Sequence, residues 1–195
     1  MTSQPPATLV DAHELILQES GYVVSVLTET DIDDYVALVA SAYRGEDSKK
    51  GWTTEADLLS GQRLDAAMAR EMLAEAESTM ILVRSVDGPA VASVYLREPV
   101  DSVACLGVLA VSPLGQGQGV GSALINLAEA WVVERWGARA LSMSVISKRS
   151  ELIAYYERRG YERTGETEPF PYGDERFGVP MVDDLEFVTL VKQLA

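Results

Sequence analysis

The sequence predicts a mixed α/β fold in which helices flank a central, mostly antiparallel sheet. Two patterns carry this prediction. The apolar runs TMILVRS and AVASVYLR flank Asp87-Gly88, a dipeptide typical of tight β-hairpins. A third strand-like run, SVACLGVLAV, leads into the glycine-rich stretch GQGQGVG and then into a helical apolar pattern. With 195 residues, of which 47% are hydrophobic, the chain can form one domain with a sizeable core.

The remaining elements follow from periodicity and turn residues. The first half predicts, in chain order, a strand (22–27), a helix (28–45), a helical turn after Thr54, a helix (64–77) and the hairpin strands (79–85 and 90–97). The second half predicts a strand (102–111), a helix ended by Gly137, a strand (140–146), a short helix ended by Gly160 and a closing strand pair (161–166 and 185–194). Residues 1–20 are interpreted as an N-terminal extension and residues 21–195 as a single domain.

Long apolar runs, cysteine and histidine are scarce in this sequence, which bears on the location of the protein and on metal binding. No apolar run approaches the roughly 20 residues that span a bilayer, and the first residues lack the basic start and apolar stretch of a signal peptide. We therefore expect a cytoplasmic protein without a membrane partner. One cysteine, Cys105, and one histidine, His13, give no zinc-type ligand cluster, so no metal is expected. Cys105 lies in an apolar run and is expected to be buried and inert, and His13 to be incidental.

The charge is acidic and uneven. The formal net charge is −14, and residues 1–100 carry 17 Asp and Glu against 7 Lys and Arg. Because binding to a phosphate backbone needs basic surface, a nucleic-acid partner is not expected. The balance favours a cationic small molecule or a basic peptide as partner. The alternative is that the acidic surface serves only solubility.

The glycine-rich stretch at 115–121 predicts an anion site. A strand that runs into a glycine loop and then into a helix leaves backbone N–H groups unpaired at the helix start, where a phosphate can bind. A Cβ would hold the phosphate oxygens away from those groups. The alternative is a flexible turn, which would not need a helix directly after it. The dinucleotide fingerprint G-x-G-x-x-G fails, because its third glycine position would fall on Val120 or Ser122.

The spacing Gln116-x-x-Gly119-x-Gly121 resembles the coenzyme A pyrophosphate loop of the GNAT superfamily of N-acetyltransferases. The longer segments LAVSPLGQGQGVGSALINLAEAW and YYERRGYERTGE resemble two further parts of that family, each on the expected element. The resemblance covers the chain from about Tyr22 to the C-terminus. It implies acetyl-CoA as the donor, with no metal.

The resemblance also implies which residues hold the coenzyme. Main-chain groups of one strand segment would pair with the pantetheine arm as an added strand does: Leu109, Ala110 and Val111. Backbone amides of the loop and helix start would hold the pyrophosphate: Gln116, Gly117, Gln118, Gly119, Val120, Gly121 and Ser122.

Two side chains are candidates for proton transfer. Tyr156 falls where the family's acid tyrosine lies, and its hydroxyl could donate to the leaving thiolate; the alternative is a core tyrosine. The strand before the loop lacks the family's glutamate, so Glu55 is the substitute base. Trp52 beside it could cover an ammonium group. The alternative is that Glu55 is a helix-start residue stabilised by the dipole. Arg149 stands where members of the family often have asparagine.

The sequence therefore predicts an N-acetyltransferase that moves an acetyl group from acetyl-CoA to a primary amine, of a small molecule or a peptide, by direct attack. The competing hypothesis is a non-catalytic module that binds or senses acyl-CoA. A homodimer is a possible assembly.

Overall fold

The computed structural model describes residues 8–113 and 115–194. The α-helices in this part of the chain are α1 (Leu9–Glu19), α2 (Ile32–Tyr43), α3 (Ala66–Ala74), α4 (Val120–Trp136) and α5 (Ser150–Glu157). The strands are β1 (Tyr22–Val26), β2 (Leu59–Ser60), β3 (Ser78–Ser85), β4 (Ala90–Val100), β5 (Val103–Leu106), β6 (Ala110–Val111), β7 (Ala140–Ile146), β8 (Glu162–Pro169), β9 (Val179–Pro180) and β10 (Glu186–Gln193). Short 3₁₀ helices span Glu29–Asp31, Glu46–Lys50 and Glu175–Phe177.

The main sheet has the order β1-β3-β4-β5-β7-β10-β8, with β6 paired to β4 alone. Its pairs are antiparallel except for β5 and β7, which run parallel. The mixed, mostly antiparallel sheet predicted from the sequence is confirmed. Asp87 has a positive φ of 54° in the β3–β4 turn, and Gly137 ends α4 at φ 64°. Both turn predictions hold because these residues tolerate the left-handed region.

Helices cover both faces of the sheet. Alternate residues of β3 point to opposite sides, so Ile81 and Val83 join a core cluster with α4 and α5, whereas Met80 and Leu82 join a cluster with α2 and α3. This two-sided burial explains why the β3 sequence is continuously apolar rather than alternating.

The segment interpreted as an extension contributes to the core. Residues 9–19 form α1, and Val10 and Leu17 are each 1% exposed within the cluster that contains α4. Glu134 on α4 accepts hydrogen bonds from the N–H groups of Leu9 and Val10, which satisfies two donors at the start of α1. The helix is thus packed against the rest of the domain rather than appended to it.

The run expected as one strand over 102–111 is divided into β5 and β6. β5 pairs with β7, but beyond Gly107 the chain leaves β7, and β6 pairs only with β4. A Cβ on Gly107 would lie 2.8 Å from Cδ1 of Tyr95, so only glycine fits at the division. The result is a gap in the sheet between β6 and the second half of β7. The single helical turn expected after Thr54 is present: it begins at Glu55, whose carbonyl accepts from the N–H groups of Leu58 and Leu59 at 2.9 Å each, and it leads into β2.

None of the helices in the described residues combines the length and hydropathy needed to cross a bilayer.

Candidate active site

The glycine loop ends at the start of α4 and exposes backbone donors. Gly117 and Gly119 have φ of 79° and 84°, and space is open around the Cβ position of each. The first α4 hydrogen bond runs from the N–H of Ala123 to the carbonyl of Gly119. The N–H groups of Val120, Gly121 and Ser122 precede it and lack a partner one helical turn back. This arrangement, with the positive end of the helix dipole behind it, suits a phosphate.

Gln116 has a different position from the one expected. Its backbone N–H donates to the carbonyl of Ser112 at 3.1 Å, so this amide does not face a phosphate. Its side-chain oxygen accepts from the N–H of Trp52 at 2.9 Å, and its side-chain nitrogen donates to the carbonyl of Val111 at 3.2 Å. Gln116 therefore fastens the loop to β6 and to the segment around Trp52. Gln118 accepts from the hydroxyl of Tyr22 at 3.0 Å.

The strand expected to hold the pantetheine arm borders the gap in the sheet. Ala110 pairs with Ser93 on β4, so its backbone groups are used within the sheet, while the neighbouring residues face the gap. The carbonyl of Leu109 accepts from the Tyr43 hydroxyl at 3.0 Å, and that of Val111 accepts from Gln116. Each carbonyl has a second lone pair, so these bonds leave capacity for a ligand.

A cavity of about 360 Å³ joins the loop to this gap. Trp52 and Tyr155 pack on each other along it, with ring centroids 5.3 Å apart. The guanidinium of Arg159 lies 3.7 Å from the Tyr155 ring centroid and donates to the Ser122 hydroxyl at the start of α4. A positive side chain thus stands beside the predicted phosphate position in a protein that is acidic as a whole.

A second cavity, of about 510 Å³, lies on the other side of the gap. The two cavities share five lining residues, which we call the junction: Tyr43, Leu109, Arg149, Leu152 and Tyr156. A donor in the first cavity and an acceptor in the second would meet there.

Tyr156 lies at the junction on α5. It is 4% exposed, and burial raises the pKa of its hydroxyl, so this group remains a proton donor at neutral pH. Within the described residues the Tyr156 hydroxyl has no hydrogen-bond partner, whereas the nearby Tyr161 hydroxyl donates to Glu129. The position is compatible with a donor to a leaving group.

Glu55 also lies at the wall of the second cavity, but its carboxylate is held by two arginines. One oxygen accepts from Nε and Nη2 of Arg44 at 3.1 and 3.0 Å, and the other accepts from Nη1 of Arg149 at 3.0 Å. All three side chains are at least nine-tenths buried. A carboxylate with both oxygens bound to guanidinium groups is poorly placed to accept a proton from an amine, so the geometry favours a positioning role.

Other expectations differ from the structure. Trp52 lines the first cavity, beside the loop, rather than the second cavity where an acceptor would bind. Cys105 is half-buried rather than buried, and its sulfur lies 3.8 Å from Nη2 of Arg97.

The sequence analysis assigned no role to Tyr43, whose hydroxyl donates to the carbonyl of Leu109 at the junction. The helical spacing of Tyr43 indicated only a core residue. Among residues 8–113 and 115–194 no group of three or more His, Cys, Asp and Glu could hold a metal.

The gap in the sheet, the loop at α4 and the two joined cavities define a class, the acyl-CoA N-acyltransferase fold. A family model described as the acetyltransferase (GNAT) family matches residues 32–161. The chain therefore belongs to the GNAT family, whose members are acetyl-CoA-dependent N-acetyltransferases. No curated protein sequence matched significantly.

Solved structures share the fold at low sequence identity. Nourseothricin acetyltransferase has a TM-score of 0.65 and 18% identity, over 90% of this chain and 99% of that one. A spermidine N-acetyltransferase mutant from Vibrio cholerae has a TM-score of 0.64 and 12% identity, over 90% and 95%. The ribosomal-protein-S18-alanine N-acetyltransferase from Escherichia coli has a TM-score of 0.62 and 18% identity, over 89% and 94%.

Proposed function

We propose that this protein transfers an acetyl group from acetyl-CoA to a primary amine by direct attack. The observation that carries the proposal is the junction, where a cavity bordered by the glycine loop meets a second cavity across the gap in the sheet. Two substrates that enter from different sides can react there without an acetylated protein intermediate. The neighbours named above act on spermidine, nourseothricin and ribosomal-protein-S18-alanine, as their names state, and these support an amine as acceptor.

Different residues would bind the coenzyme and assist the reaction. The N–H groups of Val120, Gly121 and Ser122 would hold the pyrophosphate, and backbone groups of Leu109 and Val111 would hold the pantetheine arm. The thioester supplies the acetyl group. Tyr156 would donate a hydrogen bond, and then a proton, to the leaving sulfur, which lowers the barrier to C–S cleavage.

The proton on the amine must also leave. An alkylammonium with a lysine-like pKa near 10.4 is almost fully protonated at pH 7, and removal of its proton costs about 4 to 5 kcal/mol. The sequence predicted Glu55 as the base, but its two ion pairs favour a role in positioning Arg149 at the junction. The cytoplasmic location and the homodimer stay predictions. The cationic acceptor predicted from the net charge is not supported by the second cavity, because its lining is formally positive by one charge.

The test is release of free coenzyme A thiol from acetyl-CoA over a panel of amines. We expect release that depends on the amine and on a folded glycine loop. Tight binding of acetyl-CoA without turnover on any amine would instead favour the acyl-CoA sensor.

A further inference from the structure

The lining of the second cavity contains more basic than acidic side chains. Its charged lining residues are Arg44, Arg63, Arg97, Arg149, Glu55, Glu75 and Glu168. The lining is therefore formally positive by one charge, although the whole chain carries −14. A site selective for a simple cation would be expected to have a lining with net negative charge.

Several of these charges are already paired within the protein. Arg44 donates to Glu55 and to the carbonyls of Gln62 and Phe177, so its donors are used. Arg149 shares the same carboxylate, which leaves two guanidinium groups on one glutamate. Glu75 accepts from the Tyr95 hydroxyl. Near Tyr43 the lining therefore holds Arg44, Arg63 and Arg149 against Glu55 alone, whereas the remaining charged residues are Arg97, Glu75 and Glu168.

Two guanidinium groups near Tyr43 have unused donors. Within the described part of the chain, Arg63 has neither an ion pair nor a hydrogen bond, and its Cζ lies 5.4 Å from the centroid of the Tyr43 ring. Arg149 is nine-tenths buried, its Cζ lies 5.9 Å from the same ring, and its Nε is buried without a partner among the described residues. A buried donor without an acceptor is costly, which applies to Nε of Arg149, and the half-buried Arg63 on the same ring supplies further donors for an acceptor that arrives with a ligand.

Another part of the lining of this cavity is an apolar wall. Phe170 lies 6.5 Å from Phe177 and 5.7 Å from Phe187 between ring centroids, and these rings line the cavity with Leu59 and Met143. A small inorganic anion would leave this wall in contact with water, whereas an apolar side chain would cover it.

We propose that the acceptor is an amino acid with an apolar side chain, whose carboxylate binds Arg63 beside Tyr43 and whose side chain packs on the Phe170 wall. This inference rests on the proposed acetyl transfer. A carboxylate bound there places an α-amine within a few bonds of the junction. An amino acid with no net charge also approaches an acidic protein without the repulsion that a simple anion would meet.

The test compares each amino acid with the amine that lacks its carboxylate: L-phenylalanine with 2-phenylethylamine, and L-leucine with 3-methylbutylamine. The wild-type protein should show kcat/KM at least about tenfold higher for each acid, because a site built for a polar group rejects analogues that lack it. Arg63→Gln should remove this preference, and Arg63→Lys should restore part of it. Arg139→Gln, which removes an exposed arginine at the start of β7, should leave the preference unchanged.

Equal kcat/KM for acids and decarboxylated amines would overturn the inference and leave the proposed acetyl transfer intact. A preference that survives Arg63→Gln, in a protein shown to be folded by circular dichroism, would also overturn it. Absence of turnover with every amine would overturn both proposals.

Discussion

Nη1 of Arg149 donates to Oε1 of Glu55 across 3.0 Å, and this contact joins the start of α5 to the turn that follows α2. Arg44, at the end of α2, binds the other oxygen of the same carboxylate. The shared glutamate therefore sets where the Arg149 side chain lies at the junction.

Glu55→Gln should destabilise the protein and leave the shape of the pH–rate profile unchanged. Removal of one partner from a buried ion pair costs about 3 kcal/mol or more, and here two guanidinium groups lose their counterion. Thermal unfolding and kcat measured against pH are the readouts. If Glu55 is the base, the rate loss will instead be greatest near neutral pH and will diminish as the pH approaches the pKa of the amine. Glu46→Gln removes an exposed pair with Lys49 and should change Tm little.

Tyr156→Phe should lower kcat by roughly 10²-fold, a loss within the range for general acid catalysis, with little effect on the affinity for acetyl-CoA. Burial holds the folded pKa of Tyr156 above its unfolded value near 10. The hydroxyl is therefore protonated at every pH below about 9, and the rate ratio of wild type to variant should be constant there. Any stability that this shift contributes is present below about pH 10 and is lost as the pH rises further.

Tyr155→Phe is the matched control for that experiment, because Tyr155 is adjacent on α5 but faces Ser122 and Trp52. It should raise KM for acetyl-CoA and leave kcat nearly unchanged. An unaltered kcat in Tyr156→Phe would assign Tyr156 to the core.

Gly119→Asp should weaken acetyl-CoA binding by at least about tenfold, or 1.4 kcal/mol, measured by calorimetry. The new carboxylate would stand at the start of α4, where the pyrophosphate charge is expected. Gly165→Asp is a close control, since Gly165 has φ of 85° against 84° for Gly119 and equally open space around its Cβ position. Both variants carry the same backbone strain, so an equal loss of affinity in the two would contradict the placement of the coenzyme.

Gln116→Ala should raise KM for acetyl-CoA and lower stability by roughly 1 kcal/mol for each lost hydrogen bond. The side chain links Trp52 to Val111, so its removal frees the loop from β6. Gln62→Ala is the control, because the exposed Gln62 side chain binds only Asp65 among the described residues, and this change should alter neither quantity appreciably. Unchanged KM in Gln116→Ala would show that the loop keeps its position without this link.

Leu17→Ala should destabilise the protein by about 2 to 5 kcal/mol, the range for a large-to-small change in a core. Leu17 is 1% exposed in the cluster that includes α4, whereas the adjacent Ile16 is 50% exposed. Ile16→Ala should therefore have a much smaller effect on urea unfolding. Similar, small effects of both changes would support residues 1–20 as an extension independent of the core.

Local patterns predicted the parts of the fold that local chemistry determines. The hairpin at Asp87, the end of α4 at Gly137 and the order of strands and helices follow from backbone preferences and apolar periodicity. The division of the third strand did not, because it depends on the Tyr95 ring that occupies the space beside Gly107.

The side-chain partners of the site were likewise beyond local reasoning. Glu55 and Arg149 are far apart in the chain, and nothing in either segment encodes their contact. For α1 a signal was present: Val10 and Leu17 stand seven positions apart on one helical face.

The gap between β6 and β7 makes ligand binding part of the stability of the fold. The separated strands forgo backbone hydrogen bonds that a continuous sheet would have formed, and a pantetheine arm between them would act as the missing strand. A ligand that binds only the native state adds about 2.7 kcal/mol at a concentration 100 times its Kd. The resistance of this protein to unfolding and proteolysis in a cell would then follow the supply of its own donor substrate.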